Sequence, residues 1–209
     1  MGRSLALPIG VVVAVVILIL VVSQLVLPPL AARQIENRLT KDGGTAHASV
    51  HAFPALRLLF KSGDSINVTG NGLNVPLGTG QQKVLDHLDK FGSVHIHLTN
   101  VTSGPFETQR FNLDRDHGSS TYELGVRASF TPSALASYLG SAVGGGLGGL
   151  FGGLAGGFVG GTQPVPVRVT AQLESNNGNP RVVSGAGTVG GVPMGPVLEA
   201  VVAAVVARL

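Results

Sequence analysis

The chain has 209 residues, of which 44% are hydrophobic and 12% charged, with a formal net charge of +3. That charged share is roughly half the share in an ordinary soluble domain. The positive residues are scattered, Trp and Cys are absent and Tyr occurs only twice, which excludes nucleic-acid recognition through a basic stripe, disulfides, thiolate nucleophiles and Cys-ligated zinc.

Residues 5–27, LALPIGVVVAVVILILVVSQLVL, have only Ser23 and Gln24 as clearly polar positions. About 20 apolar residues cross the hydrocarbon core of a bilayer, whereas the apolar region of a signal peptide is about 7–15 residues. The run therefore reads as an uncleaved single-pass anchor occupying 1–29. Pro28-Pro29 is expected to end its helix, because Pro supplies no N–H and its ring clashes with the preceding turn. Residues 30–41, LAARQIENRLTK, then place Leu30, Ile35 and Leu39 near one face, which predicts a separate short amphipathic helix on the membrane surface. Arg3 and the amino terminus on one side nearly balance Arg33, Arg38 and Lys41 on the other, so charge alone does not decide which side of the membrane the body occupies.

The body, 30–209, alternates apolar and polar residues in several runs. Ala46, Ala48, Val50 and Ala52 alternate with His47, Ser49 and His51 in a first strand. Pro54 breaks it, Leu56, Leu59 and Phe60 recur at helical spacing, and 61–64 turns. A second strand is expected over 65–75, with Gly70 and Gly72 marking a bulge or bend. Residues 81–91, QQKVLDHLDKF, have the spacing of an amphipathic helix, capped by Gly92. SVHIHLTNV, 93–101, is a strand with Val94, Ile96 and Leu98 on one face and His95, His97 and Thr99 on the other. Strands at 106–114 and 120–130, a short helix opened by Thr131-Pro132, and a hairpin of 165–175 with 181–189 follow. Residues 196–209 read as an almost wholly apolar helix, too short to span a bilayer, which must be enclosed. The expected fold class is α+β: about six antiparallel strands in a curved sheet packed on helices, after one transmembrane helix.

Between Ala128 and Val167 there is no Asp, Glu, Lys or Arg, and 143–162, VGGGLGGLFGGLAGGFVGGT, repeats glycine pairs. A helix of that composition in water is excluded. Each interior Gly costs about 1 kcal/mol, and about ten of them sum to the stability of a whole domain. Three readings stay open: an apolar loop at a ligand mouth or bilayer surface, an intramembrane helix packed through small-xxx-small stripes, and a plain linker.

Catalytic signals are weak. There is no G-x-S-x-G elbow and no phosphate-binding Lys-Ser/Thr after the glycines. His95 and His97 share a strand face without an evident third ligand, and Asp114-x-Asp116 sits in an expected turn. No enzyme activity, metal or cofactor is expected.

A membrane anchor, a short helix, then a strand ending in Phe53-Pro54, followed by Leu56, Leu59 and the turn at Gly63, resembles the LmeA-like family of actinobacteria; the helix at 81–91 feeding SVHIHLTNV fits the same order. The resemblance implies a phospholipid-binding envelope protein with a fold similar to the tubular, BPI-like lipid-binding domains, and it implies that the body lies on the extracytoplasmic (periplasmic) side. Ala52 stands where the family pattern has Gly, the glycine tract expands a loop, and the apolar terminal helix replaces the final strands.

The sequence-level expectation is a membrane-anchored phospholipid-binding protein that sequesters acyl chains in an apolar groove and supports lipid or lipoglycan transport or biosynthesis. Phe53, Leu56, Leu59 and Phe60 are the expected lining, Leu147, Phe151 and Phe158 a mobile cover, and Arg57 and Lys61 the partners of a lipid phosphate. The alternative is a structural protein self-associating through the glycine tract.

Overall fold

A computed structural model describes residues 6–75, 85–141, 163–195 and 202. The glycine tract with Leu147, Phe151 and Phe158, and all of the 196–209 segment except Val202, lie outside the described residues.

The first element is one continuous helix, α1, Ala6–Leu39, with Pro28 and Pro29 inside it. The expected break at the proline pair and the separate surface helix are corrected. An interior Pro costs about 3 kcal/mol, and packing beyond the pair offsets it. Ala32 is buried in the core, with Ile35 and Leu39 packed against it. Glu36 Oε1 accepts a hydrogen bond from the backbone N–H of Ala48 at 2.8 Å. Before the prolines Ser23 is buried and Gln24 half-buried, while much of the rest is exposed, including Ile17, Leu18, Val21 and Leu25. Among the described residues, Val16–Leu39 is the one helix long and apolar enough to cross a membrane.

The strands form a single eight-stranded sheet whose spatial order follows the chain. They are β1 Thr45–His51, β2 Gly63–Asn71, β3 Phe91–Ser103, β4 Phe106–Arg115, β5 Thr121–Phe130, β6 Val165–Asn176, β7 Asn179–Val189 and β8 Val192–Pro193. Every pairing is antiparallel except β2 with β3. This corrects the expectation of about six strands, all antiparallel. Parallel neighbours need a crossover, and the chain between β2 and β3 includes the short helix α2, Leu85–Leu88. A further helix, α3, Pro132–Ser141, follows β5. Thr131 caps it through its side-chain oxygen, which accepts from Ala134 N at 3.3 Å.

Alternation gives the sheet one apolar face. Leu113 faces Leu124, and Leu124 faces Ala171; Phe111 faces Val126, and Val126 faces Val169. All six are buried. Leu85, Leu135 and Val202, which is helical, are buried in the same core. The alternation changes phase twice among the described strands, in β7 where the β6–β7 register shifts between Gln172 and Leu173, and in β3 and β4. Thr99 pairs Arg110 and Val101 pairs Thr108, so Asn100 and Gln109 drop out of the ladder, with Asn100 in the left-handed region at φ 52°. The β4–β5 register shifts by one residue between Thr108 and Arg110, and beyond this bulge Val101 and Phe106 lie on the core side that Leu98 and Phe111 occupy further along. Phe106 then meets Phe130 edge to face, with centroids 5.9 Å apart.

At the opposite end of the sheet a polar cluster joins α2 to β4, β5 and β6. Arg115 is only 7% exposed. Its guanidinium lies 4.6 Å from the Tyr122 ring centroid and donates to Asp89 Oδ1 at 3.3 Å and to the Leu88 carbonyl at 3.0 Å. It also donates to the Phe91 carbonyl. Asp89 accepts from the Tyr122 hydroxyl at 2.8 Å and from Ser175 Oγ. Burial, and then the bond to Asp89, push the Tyr122 hydroxyl pKa well above its usual value, so Tyr122 is a neutral donor at any physiological pH.

Candidate functional site

The segment after β1 forms a compact apolar knob beside α1. Ala52 is buried, the Phe53–Pro54 bond is cis, and a 3-10 turn runs Ala55–Phe60. Ala55 is fully buried beneath it. Lys61 takes φ 55°, and its N–H closes the turn on the Leu58 carbonyl at 2.9 Å. Ser62 adds two bonds to the Arg57 carbonyl, from its N–H and its hydroxyl, both at 3.1 Å.

Asp64 on β2 clamps the knob. Its Oδ2 accepts from Phe53 N at 2.6 Å, and its Oδ1 accepts from the Arg57 guanidinium at 2.7 Å. Gly63 precedes it because a side chain cannot: an added Cβ would lie 2.7 Å from Phe91 Cε1 and 2.8 Å from the His51 carbonyl oxygen. Replacing Asp64 with Ala is expected to cost about 0.5–1 kcal/mol, because Asp64 and Arg57 are both nearly half exposed and water takes over part of each lost bond. Chemical denaturation would read this, and a loss below a few tenths would show that the clamp is idle.

The knob presents its hydrophobic side chains outward. Phe53 is 77% exposed, Leu59 63% and Phe60 79%. These three do not line the interior; Leu56 and Leu58 are half-buried, and Leu58 packs against the core. Phe53 also borders an open groove of about 690 Å³ between α1 and β1, whose walls include Pro28, Glu36, His47 and Ser49. Arg57 is engaged by Asp64 and remains half-exposed, and Lys61 is exposed. Helical spacing brought Leu59 and Phe60 to notice, and the Phe53-Pro54 pair of the family resemblance brought Phe53. Neither carried a sign that they face away from the core.

The knob sits at a defined level of α1. With the Gln24 amide oriented to satisfy both contacts, its nitrogen donates to the Ala52 carbonyl at 3.2 Å and its oxygen accepts from Ala55 N at 3.1 Å. Gln24 is one of the few polar residues of the apolar run 5–27. Its side chain therefore ties the knob to the end of the prospective membrane segment.

On the far face of the sheet, register supplies a partner that linear spacing did not. Asp114 lies opposite His95, and its Oδ1 is 3.0 Å from His95 Nδ1 and 2.7 Å from His97 Nε2. Among the described residues no group of three or more His, Cys, Asp or Glu is placed to hold a metal ion.

Comparison of the chain with protein-family models, curated proteins and solved structures returns no match. What can be stated of its class is architectural: an exposed apolar helix followed by an open, mostly antiparallel sheet of eight strands.

Proposed function

We propose that this chain is a membrane-anchored phospholipid-binding protein of a cell envelope, tethered by α1 and touching lipid a second time through the knob at 53–61. The observation that carries this reading is the cluster of Phe53, Leu59 and Phe60, held outward beside Gln24. Leu27, the last residue of the apolar run, is three residues beyond Gln24, about 4.5 Å along the helix. Interfacial segments bury their apolar faces about 5–10 Å into the boundary between headgroups and acyl chains, so a helix spanning with 5–27 carries the knob to that depth. Lys61, with a long stem and an exposed ammonium, reaches outward to phosphates from such a position, and Arg57 does so while still bonded to Asp64.

The phospholipid is thus contacted at the bilayer surface, by residues expected to line a groove. An extracytoplasmic body and a part in lipid or lipoglycan transport rest on the family resemblance. The absence of Trp makes a clean test available. Phe60→Trp, in the full chain reconstituted into phosphatidylcholine vesicles, is expected to emit blue-shifted fluorescence and to be quenched by lipids brominated near the headgroup. Emission typical of water, with no quenching at any bromine depth, would end the second-contact reading.

A further inference from the structure

The outward face of the sheet carries a charge arrangement that works against its own stability. Arg110 on β4 lies directly opposite Arg127 on β5, and Arg127 directly opposite Arg168 on β6. All three are exposed. Strands are about 4.8 Å apart, so these positions form a cationic row about 10 Å long. Like charges directly opposite across a sheet are destabilising. Among the described residues none of the three guanidinium groups has a hydrogen-bond or ion-pair partner. Glu107 lies one row away and pairs with none of them; Asp114, two rows away, is engaged with His95 and His97. Thr99 and Thr188 flank the row at either end.

Beside the row the sheet surface is notched. Asn112, Gly125, Thr170 and Ala186 face one another on successive strands. Gly125 has no side chain and Ala186 a short one, which opens a groove of about 580 Å³ whose walls also carry Gln172 and Ser184, with Asp114 and Glu123 at the far end. Its polar groups are amides, hydroxyls and carboxylates, the donors and acceptors that hydroxyl groups match. Guanidinium forks match phosphate oxygens.

We propose that this face binds a phosphate ester of a polyhydroxylated small molecule, a sugar or polyol phosphate, with the phosphate on the Arg110–Arg127–Arg168 row and the hydroxyls in the Gly125 notch. A soluble ester is favoured over a bilayer headgroup by position. Arg110 is five residues from Arg115, which lies at the end of the sheet nearer the apolar knob, about 17 Å along the strand. This inference goes beyond the proposed membrane function: the Arg row and the notch are read independently of it, and only the preference for a soluble ester rests on the knob lying at the bilayer.

The test uses the full chain in phosphatidylcholine nanodiscs at low ionic strength, titrated calorimetrically with glucose 6-phosphate, inorganic phosphate and glucose. Glucose 6-phosphate is expected to bind saturably and at least about tenfold more tightly than inorganic phosphate or glucose, about what one added good polar contact supplies. Arg127→Gln should weaken glucose 6-phosphate and inorganic phosphate about tenfold or more. It should leave the thermal midpoint unchanged or raised, since it removes the repulsion. An added Cβ at Gly125 meets only Asn112 Cβ, at 3.9 Å, so Gly125→Val should fill the notch, weakening glucose 6-phosphate while sparing inorganic phosphate. No saturable binding of glucose 6-phosphate, or binding equal in wild type and Arg127→Gln, overturns the proposal. So does Arg127-dependent attachment of the nanodiscs to phosphatidylglycerol vesicles without glucose 6-phosphate binding, which would put a lipid headgroup on the row.

Discussion

Replacing Asp89 with Ala is expected to destabilise the protein by about 3 kcal/mol, the largest effect of any single exposed-loop substitution considered. Breaking a buried ion pair by deleting one partner costs about 3–5 kcal/mol, because the other charge is left uncompensated. Arg115 is that other charge, and its side chain is 8% exposed. It would keep only the carbonyls of Leu88 and Phe91 and the face of Tyr122, while the hydroxyls of Tyr122 and Ser175 would lose their acceptor. The Asp89 side chain is 31% exposed, so water can replace part of what it provides, which places the figure at the lower end of that range. The same logic makes the double variant informative. With Arg115→Met already present, no buried cation remains to be orphaned, and adding Asp89→Ala should cost at least about 1 kcal/mol less than it does alone. Equilibrium denaturation of the four proteins in one detergent would measure both quantities. Additive losses, or a loss under about 0.5 kcal/mol for Asp89→Ala, would mean that the cluster does not lock α2 to the sheet.

The second large effect concerns the knob. Phe53→Ser together with Leu59→Ser, introduced beside the Phe60→Trp probe, should return the fluorescence of the indole to that of water. A fully buried Phe or Leu side chain is worth about 1.5–3 kcal/mol. Removing two lowers the insertion equilibrium by about 3–6 kcal/mol, a factor of about a hundred or more. The anchor α1 is untouched, so the chain stays in the vesicle and only the second contact is lost. If quenching by brominated lipid survives the pair, the knob is not held in the bilayer by these side chains.

Much of this architecture was legible in linear order. Alternation located β1, β3, β5 and the β6–β7 hairpin to within a few residues, because a half-buried sheet imposes a period of two on its sequence. The apolar purity of 5–27 announced α1, because an uncharged apolar run of that length has the pattern of a helix able to span a bilayer. The proline pair misled, since a local rule about ring clashes carries no knowledge of the packing of Ala32, Ile35 and Leu39 beyond it. Leu59 and Phe60 were singled out by type and spacing, and Phe53 by the Phe-Pro pair of the family resemblance. Their outward direction was not legible, because apolar residues that face the core and apolar residues left exposed are the same residue types.

The sequence by itself determined the alternating faces, the exposed-or-membrane character of the first helix and the absence of cysteine chemistry, all properties that depend on neighbours within a few positions. Only the tertiary structure decided that β2 and β3 run parallel, that Asp114 meets His95 and His97, that Asp89 partners Arg115, and that Arg110, Arg127 and Arg168 stand in one row. Each of these is a matter of strand direction and register, which are set by how separate segments pack together and leave no periodic trace in any one of them.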